Sequence, residues 1–375
     1  MSKELEGKNI FVTGGSRDIG ASIVDHLLDA GANVGYCFHH HSQEREITNP
    51  KLFAIKADLK TSNSRREISE FIWDKFNDKW DGLVLNASDD SLELNVNANL
   101  DLFYQFESNY LFDPEPSHSV ILMQSVPGHF YDRLGKDWIP EFYNPIAKAK
   151  NKGEKEISKI RQIGGLNISI VCPPAVVDTT NWEQFKKHRD RDIDIKHKKI
   201  TDALGLPTEV TSDDVGKKVT ELIANPPRFG SVEYFNGTKD GKVYLADIYG
   251  PSLRLLDTFN VEQKSAWMII TKKYCKDHFV GNPILPGFLI EEAAAQSAAL
   301  ITSDGDFGTD LPILTSRSVD NFQSRAVPGD ILKFQMEDYE ITRRRFSGKV
   351  IVTNNESLVT EVFIKGAFFP RRFLK

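Results

Sequence analysis

The amino-acid sequence predicts two domains in tandem: an α/β domain with a doubly wound parallel sheet, then an α+β domain with an antiparallel sheet. Three observations predict this. Over the first half, short apolar runs alternate with stretches of helical period. Around 225–241 the texture breaks, where Pro226, Pro227, Gly230, Gly237 and Gly241 punctuate a polar stretch. Beyond it, one long apolar helix, Pro286–Ile301, precedes strands rich in β-branched and aromatic residues. A chain of 375 residues has room for two domains or three, and the break places them at 1–236 and 237–375.

The elements follow in order. Strands are expected at Asn9–Val12, Asn33–Phe38, Lys51–Lys56, Gly82–Leu85, Ser119–Met123 and Ile168–Cys172. Between the first two, Ile19, Ile23, Leu27 and Leu28 share one helical face, and Gly31 ends that helix. A charged, helix-rich region runs from Trp182 to Ile223, and its run Lys186–Lys199 reads as a solvated helix face. In the second domain, strands are expected at Gly348–Thr353 and Leu358–Phe369. There is no internal repeat and no low-complexity tract.

Composition excludes several classes. Lys and Arg number 47 and Asp and Glu 53, a net charge of −6, which argues against a nucleic-acid or anionic-membrane partner. Cys37, Cys172 and Cys275 lie far apart without metal-ligand spacing, so no metal site is expected and the thiols fit a reducing compartment. Met1–Lys8 is polar and no apolar run approaches the ~20 residues of a membrane span. A cytoplasmic protein without a signal peptide is expected.

The first strand runs into Thr13-Gly14-Gly15-Ser16-Arg17-Asp18-Ile19-Gly20 and then a helix. Strand, glycine turn and helix cradle a pyrophosphate: the turn brings backbone N–H groups to the phosphates, and the helix N-terminus adds a partial positive charge. Here the chain resembles the short-chain dehydrogenase/reductase family and its T-G-x-x-x-G-x-G fingerprint. The resemblance continues in order through Asp58-Leu59, Asn86-Ala87-Ser88, Asn99, Ser125, and Pro174-Ala175 with Thr179. It covers about residues 5–236 and implies a Rossmann-type sheet. It also implies cofactor contacts from Gly14, Ser16, Arg17, Ile19, Gly20, Asp58, Leu59, Asn86, Ala87, Lys150 and Thr179.

Two positions depart from that pattern. Asp18 replaces a glycine beside the phosphates, where a carboxylate repels an anion unless Arg17 offsets it. The family's Tyr-x-x-x-Lys is not intact, since Tyr143 is followed by Lys148 and Lys150 at other spacings. Helix geometry favours Lys150. Asn144 and Pro145 read as N-cap and first helical residue, and Ile146, Ala149, Gly153, Ile157 and Ile160 form one stripe. Lys150 sits at its edge, whereas Lys148 points nearly the opposite way. The resulting Tyr-x6-Lys spacing resembles the enoyl-thioester reductase branch of the same superfamily. Reduction needs a proton donor at the substrate oxygen. The reading is Tyr143 as acid, Lys150 as the cation tuning it, Ser125 as carbonyl orienter and Asn99 as water or backbone anchor. No acidic residue ends the second strand; His39, His40 and His41 follow Phe38, and with Arg17 they point to NADPH.

The second domain carries a denser constellation, running from Asp277-His278-Phe279 through Pro283, Pro286-Gly287 and Glu292-Ala293 to Gln296. It resembles the H-F-x-x-x-P-x-x-P-G-x-x-x-x-E-A-x-A-Q motif of bacterial 3-hydroxyacyl-carrier-protein dehydratases. Ile248-Tyr249-Gly250-Pro251 and Phe322…Val327-Pro328-Gly329-Asp330 extend the resemblance over about 245–370, implying a hot-dog fold. The chemistry reads without the family. Pro286 starts a helix whose N-terminus stabilises an enolate-like thioester oxygen. A neutral imidazole suits the base, and Glu292, inside an apolar helix, is expected to hold its proton. Gln296, one turn on, is placed to steady that carboxyl, whereas Glu291 is expected to be its exposed, non-catalytic neighbour. The resemblance implies His278 as base, Glu292 as acid or water orienter, and their meeting across a dimer interface. Asp277 stands where the family usually has glycine.

Together the halves predict a homo-oligomeric, bifunctional enzyme, an NADPH-dependent 3-ketoacyl-thioester reductase and a 3-hydroxyacyl-thioester dehydratase. It would act on acyl chains carried by acyl carrier protein or coenzyme A in fatty-acid or polyketide-like synthesis. Two alternatives stay open: dehydratase with enoyl reductase, and dehydratase with an inactive docking domain.

Overall fold

The computed structural model describes residues 4–40, 49–77, 79–108, 118–134, 138–161, 167–180, 182–183, 191–227, 231–235, 238–239, 254–276, 278–279, 281–303 and 310–370. His41, the segment Ile248–Pro251, Asp277 and Val280 lie outside these described residues. The chain divides into two units. The first comprises 1–132, 137–198 and 208–231; the second takes 232–375 together with the short segments 133–136 and 199–207.

The first unit is α/β. Its strands are β1 (Asn9–Thr13), β2 (Asn33–Phe38), β3 (Leu52–Lys56), β4 (Gly82–Leu85), β5 (Ser119–Met123) and β6 (Asn167–Val171). All pair in parallel, in the order β3-β2-β1-β4-β5-β6. That order reverses between β1 and β4, which opens a crevice at the strands' carboxyl ends. The central strands are buried throughout, as continuous apolar runs such as Ser119–Met123 require in a sheet covered on both faces.

The helices are α1 (Asp18–Asp29), α2 (Ser62–Phe76), α3 (Asn99–Ser108), α4 (Val126–His129), α5 (Asn144–Arg161), α6 (Arg191–Ala203) and α7 (Ser212–Ala224). Helix α1 packs against α7, while α2 and α5 both pack against α3. Helix α1 buries Ile23, Val24 and Leu27 and stops at Gly31, whose φ of +99° a side chain would resist. Helix α7 opens with a reciprocal capping box between Thr211 and Asp214. A single turn of 3-10 helix, Glu141–Tyr143, leads into α5. Two short parallel strands, β7 (Ala175–Val176) and β8 (Glu209–Val210), follow β6 and precede α7; the sequence reading contained neither.

The second unit is α+β. Strands β9 (Val232–Glu233), β10 (Thr238–Lys239), β11 (Thr258–Asn260), β12 (Ser265–Ile269), β13 (Asp310–Val319), β14 (Ile331–Ile341), β15 (Arg345–Asn354) and β16 (Ser357–Pro370) are joined by antiparallel pairings. Their order is β13-β16-β15-β14-β12-β11-β10-β9. Helix α8 (Gly287–Thr302) touches every strand from β11 to β16, and Ala293–Thr302 is buried without interruption. Small residues, Ala293, Ala294, Ala295, Ala298 and Ala299, let the sheet approach the helix closely. Among the described residues no helix is long and apolar enough to cross a membrane, and no cluster of three or more His, Cys, Asp or Glu is arranged to hold a metal ion.

Candidate active sites

The phosphate turn is pinned from both sides. The Thr13 hydroxyl donates to the Val84 carbonyl (3.3 Å) and accepts from the N–H groups of Asn86 and Ala87 (2.9 Å each). The Asn86 amide donates back to the carbonyls of Thr13 and Gly14, at 3.1 and 3.2 Å. Gly14 has φ +66°, and a Cβ at Gly20 would overlap the Gly14 carbonyl, so both glycines are needed for the turn to close on α1. Beside it lies a groove of about 500 Å³. Gly14, Ser16, Arg17, Ile19, Gly20, Asp58, Leu59, Asn86, Ala87, Lys150 and Thr179 all line it, so every residue the sequence assigns to the cofactor is in one place. Glycine turn, helix N-terminus and groove size fit a dinucleotide.

Asp18 adopts the left-handed conformation, φ +51°, which the family's glycine takes without strain. Its Oδ1 accepts from the backbone N–H and the hydroxyl of Thr180, both at 2.9 Å, and Arg17 Nε lies 3.7 Å from Oδ2. The carboxylate is thus engaged by Thr180. His39 and His40 line the groove with their rings 3.6 Å apart, and His39 Nε2 is 3.8 Å from Asp58 Oδ2.

A second cavity of about 210 Å³ opens beside the first and shares Ile19, Gln124, Lys150 and Thr179 with it. Here the Tyr143 hydroxyl donates to Ser125 Oγ at 3.0 Å. Burial pushes the Tyr143 phenol up, and the Ser125 hydrogen bond opposes that rise. Lys150 lines both cavities while Lys148 is exposed. Burial lowers the Lys150 ammonium from 10.5 to about 8, opposed by Cys172, and its Nζ donates to the Met123 carbonyl at 3.1 Å. That hydrogen bond goes to the backbone, not to Tyr143. Asn99 is buried, with its amide donating to the Asn95 carbonyl at 3.1 Å.

Sequence reasoning missed the support beneath these groups. Gln124 Nε2 donates to the Lys150 carbonyl (3.0 Å) and to Glu154 (2.9 Å), while Gln124 Oε1 accepts from the Ser125 N–H (3.1 Å). Glu154 in turn pairs with buried His129 at 2.7 Å. The available signal was Glu154's place four residues after Lys150, on the same helix face.

In the second unit, His278 lies in a turn before α8, and its Nδ1 is 3.0 Å from the Ile284 carbonyl. A carbonyl only accepts, so Nδ1 carries the proton, and in a neutral ring Nε2 is then the acceptor nitrogen. Phe279 stacks edge-on against the ring at 4.4 Å. Glu292 does not have the apolar setting expected of it. Its oxygens accept from Gln296 (3.2 Å) and Arg317 (3.3 Å), and Arg317 also pairs with Glu291 at 3.0 Å. Glu291 is thus paired with Arg317 and only partly exposed, where an exposed neighbour was expected. The reason is that the second turn of α8 presents both carboxylates to Arg317 of β13, and uninterrupted burial of the helix begins only at Ala293. Gln296 is buried and also accepts from the Leu255 N–H at 3.1 Å. Among the described residues, no hydrogen bond or ion pair joins His278 to Glu292 within one chain.

Fold and sites define a class of chain in which a dinucleotide-type α/β unit is joined to an α+β unit bearing an imidazole and a helix-borne carboxyl. Known proteins show the same division. Residues 8–106 match the short chain dehydrogenase family model. Over 109 residues the chain is 38% identical to the 3-hydroxyacyl-(acyl-carrier-protein) dehydratase FabZ of Syntrophotalea carbinolica, across 27% of this chain and 71% of that protein. Over 239 residues it is 25% identical to isoepoxydon dehydrogenase patN of Penicillium expansum, across 56% of this chain and 88% of that protein. A solved actinorhodin polyketide ketoreductase, in complex with NADPH, aligns at 16% identity with a TM-score of 0.49, covering 60% of this chain and 95% of that one. Through its C-terminal region the chain belongs to the 3-hydroxyacyl-(acyl-carrier-protein) dehydratase family, joined here to a short-chain dehydrogenase/reductase region.

Proposed function

We propose that the chain reduces a 3-ketoacyl thioester with NADPH and dehydrates the resulting 3-hydroxyacyl thioester, on acyl carrier protein or coenzyme A, in fatty-acid or polyketide-like synthesis. The observation that carries the reductase reading is the 3.0 Å hydrogen bond from Tyr143 to Ser125 in a cavity that opens beside the dinucleotide-sized groove. A nicotinamide cofactor held in the groove would supply the hydride. Tyr143 gives its hydroxyl proton to the substrate oxygen as that oxygen gains charge, and Ser125 donates a hydrogen bond to the same atom. Lys150, charged below about pH 8, favours proton release from the phenol. Arg17, His39 and His40 at the groove support selection of a 2′-phosphate.

The second unit, read as a hot dog around α8, takes the alcohol onward. His278 Nε2 removes the α-proton, the N-terminus of α8 stabilises the enolate-like oxygen, and the β-hydroxyl, oriented by Glu292, leaves as water with the proton that His278 carries. Gln296 and Arg317 orient that carboxyl. A homodimer brings His278 of one copy to Glu292 of the other.

The test is NADPH oxidation with a 3-ketoacyl thioester and, separately, with a 2-enoyl thioester. Oxidation with the ketone supports this reading. Oxidation with the enoyl compound alone would make the first unit an enoyl reductase, and oxidation with neither would leave it a docking module.

A further inference from the structure

The Lys60 ammonium and the Asp89 carboxylate lie 2.5 Å apart, and both line the groove assigned to the cofactor. Their origins make the contact unusual. Lys60 follows β3 and Asp89 follows β4, yet in the sheet order β3-β2-β1-β4 those strands are three places apart. At the usual strand spacing that is about 14 Å. The loops must therefore reach toward each other across the ends of β2 and β1, where the phosphate turn begins. Each side of the contact is braced. The Lys60 N–H donates to Asp58 (3.0 Å), and the Leu59 carbonyl accepts from Arg65 (2.7 Å). Asp89 accepts from the Ser91 N–H (2.8 Å) and hydroxyl (2.6 Å), and the Asp89 carbonyl accepts from Asn95 (2.7 Å). The residues just before each partner, Asp58-Leu59 and Ala87-Ser88, also line the groove.

We propose that Lys60 and Asp89 form a clasp over the dinucleotide groove, so that bound cofactor leaves when this ion pair opens. The clasp rests on the cofactor reading above. Its charges neutralise each other, so Lys60 acts by closing the groove and not as a spare cation for phosphate. The pair favours its ionised form on both sides. The hydrogen bond to Asp89 raises the Lys60 ammonium, and the bonds from Lys60 and Ser91 lower Asp89 against the opposing effect of its burial.

The experiment follows NADPH fluorescence during release from the full-length protein, using wild type, Lys60→Met, Asp89→Asn and the charge-swapped double variant Lys60→Asp/Asp89→Lys. Asp89→Asn keeps an acceptor for Ser91, and unfolding midpoints confirm that release is read from folded protein. Each single variant is expected to release NADPH about two- to five-fold faster, the size set by loss of a half-exposed ion pair. Release from wild type should quicken with added salt, and that dependence should flatten in the single variants. The swapped protein should return toward the wild-type rate. Wild-type release rates in both single variants would overturn the clasp, as would a swapped protein that releases as fast as they do. Failure of the wild-type chain to bind NADPH would instead overturn the cofactor reading, and the clasp with it.

Discussion

In the first unit the candidate site residues converge because parallel strands all end on one edge of their sheet. Gly14, Asp58, Asn86, Ser125 and Thr179 follow five different strands and still line two adjoining cavities. In the second unit the proposed catalytic pair is split between a turn carrying His278 and a helix carrying Glu292, and Glu292 is held by Arg317 of the edge strand β13. A parallel sheet gathers a site within one chain by topology alone. An antiparallel sheet around a helix provides one electrostatically favourable helix end and leaves the partner group to be delivered separately.

The sharpest way to break this contrast is to remove the second unit's base. His278→Ala is expected to lower hydration of a 2-enoyl thioester about 10³-fold, within the range for loss of a general base, while ketone reduction stays within two-fold. Mixing refolded His278→Ala and Glu292→Gln chains should then restore roughly a quarter of the hydration rate, as a site shared across a two-fold dimer requires. No restoration would place both groups in a single copy. In the first unit, Tyr143→Phe should lower ketone reduction about 10²-fold and leave hydration unchanged, measured on the same preparation. Its mixture with a Ser125→Ala chain should recover nothing, because those two residues already touch within one chain.

A smaller effect separates the units by pH. The folded-state value of Lys150 is lowered to about 8, so the ammonium is present below that pH and lost above it. Reductase kcat/KM should therefore fall as pH rises through about 8, approaching ten-fold per unit, and Lys150→Arg should move that limb upward without moving the hydration profile. The smallest effect is on stability. Thr211→Ala removes the capping box of α7 and should destabilise the α/β unit by about 1 kcal/mol, seen in its unfolding transition, with hydration at 25 °C unchanged.

Much of this was legible in the chain because the first unit is locally coded. The parallel strands are mostly apolar, so Gly82–Leu85 and Ser119–Met123 could be bounded to the residue. The glycine turn is legible for a similar reason, since only a few residue types tolerate its backbone. The wheel that favoured Lys150 over Lys148 worked from the same regularity, and Lys150 is the one lining the cavities. What escaped the sequence are pairings between residues of different elements: Lys60 with Asp89, Asp18 with Thr180, and Arg317 with Glu291 and Glu292. Polar surface residues carry no periodic signal, and their partners are chosen by how the loops fold. Glu292 shows the limit plainly. Most of the helix around it is apolar and Gln296, one turn on, was foreseeable, but Arg317, the cation that also reaches its carboxyl, belongs to a strand.

Asp18 carries one more consequence. Its carboxylate binds Thr180, one residue beyond Thr179, which lines both cavities. Aspartate and glycine codons differ by a single nucleotide. A glycine at this position is therefore one step away, and it would ease the left-handed backbone while untying Thr180, and with it one wall of the two cavities, from the glycine turn.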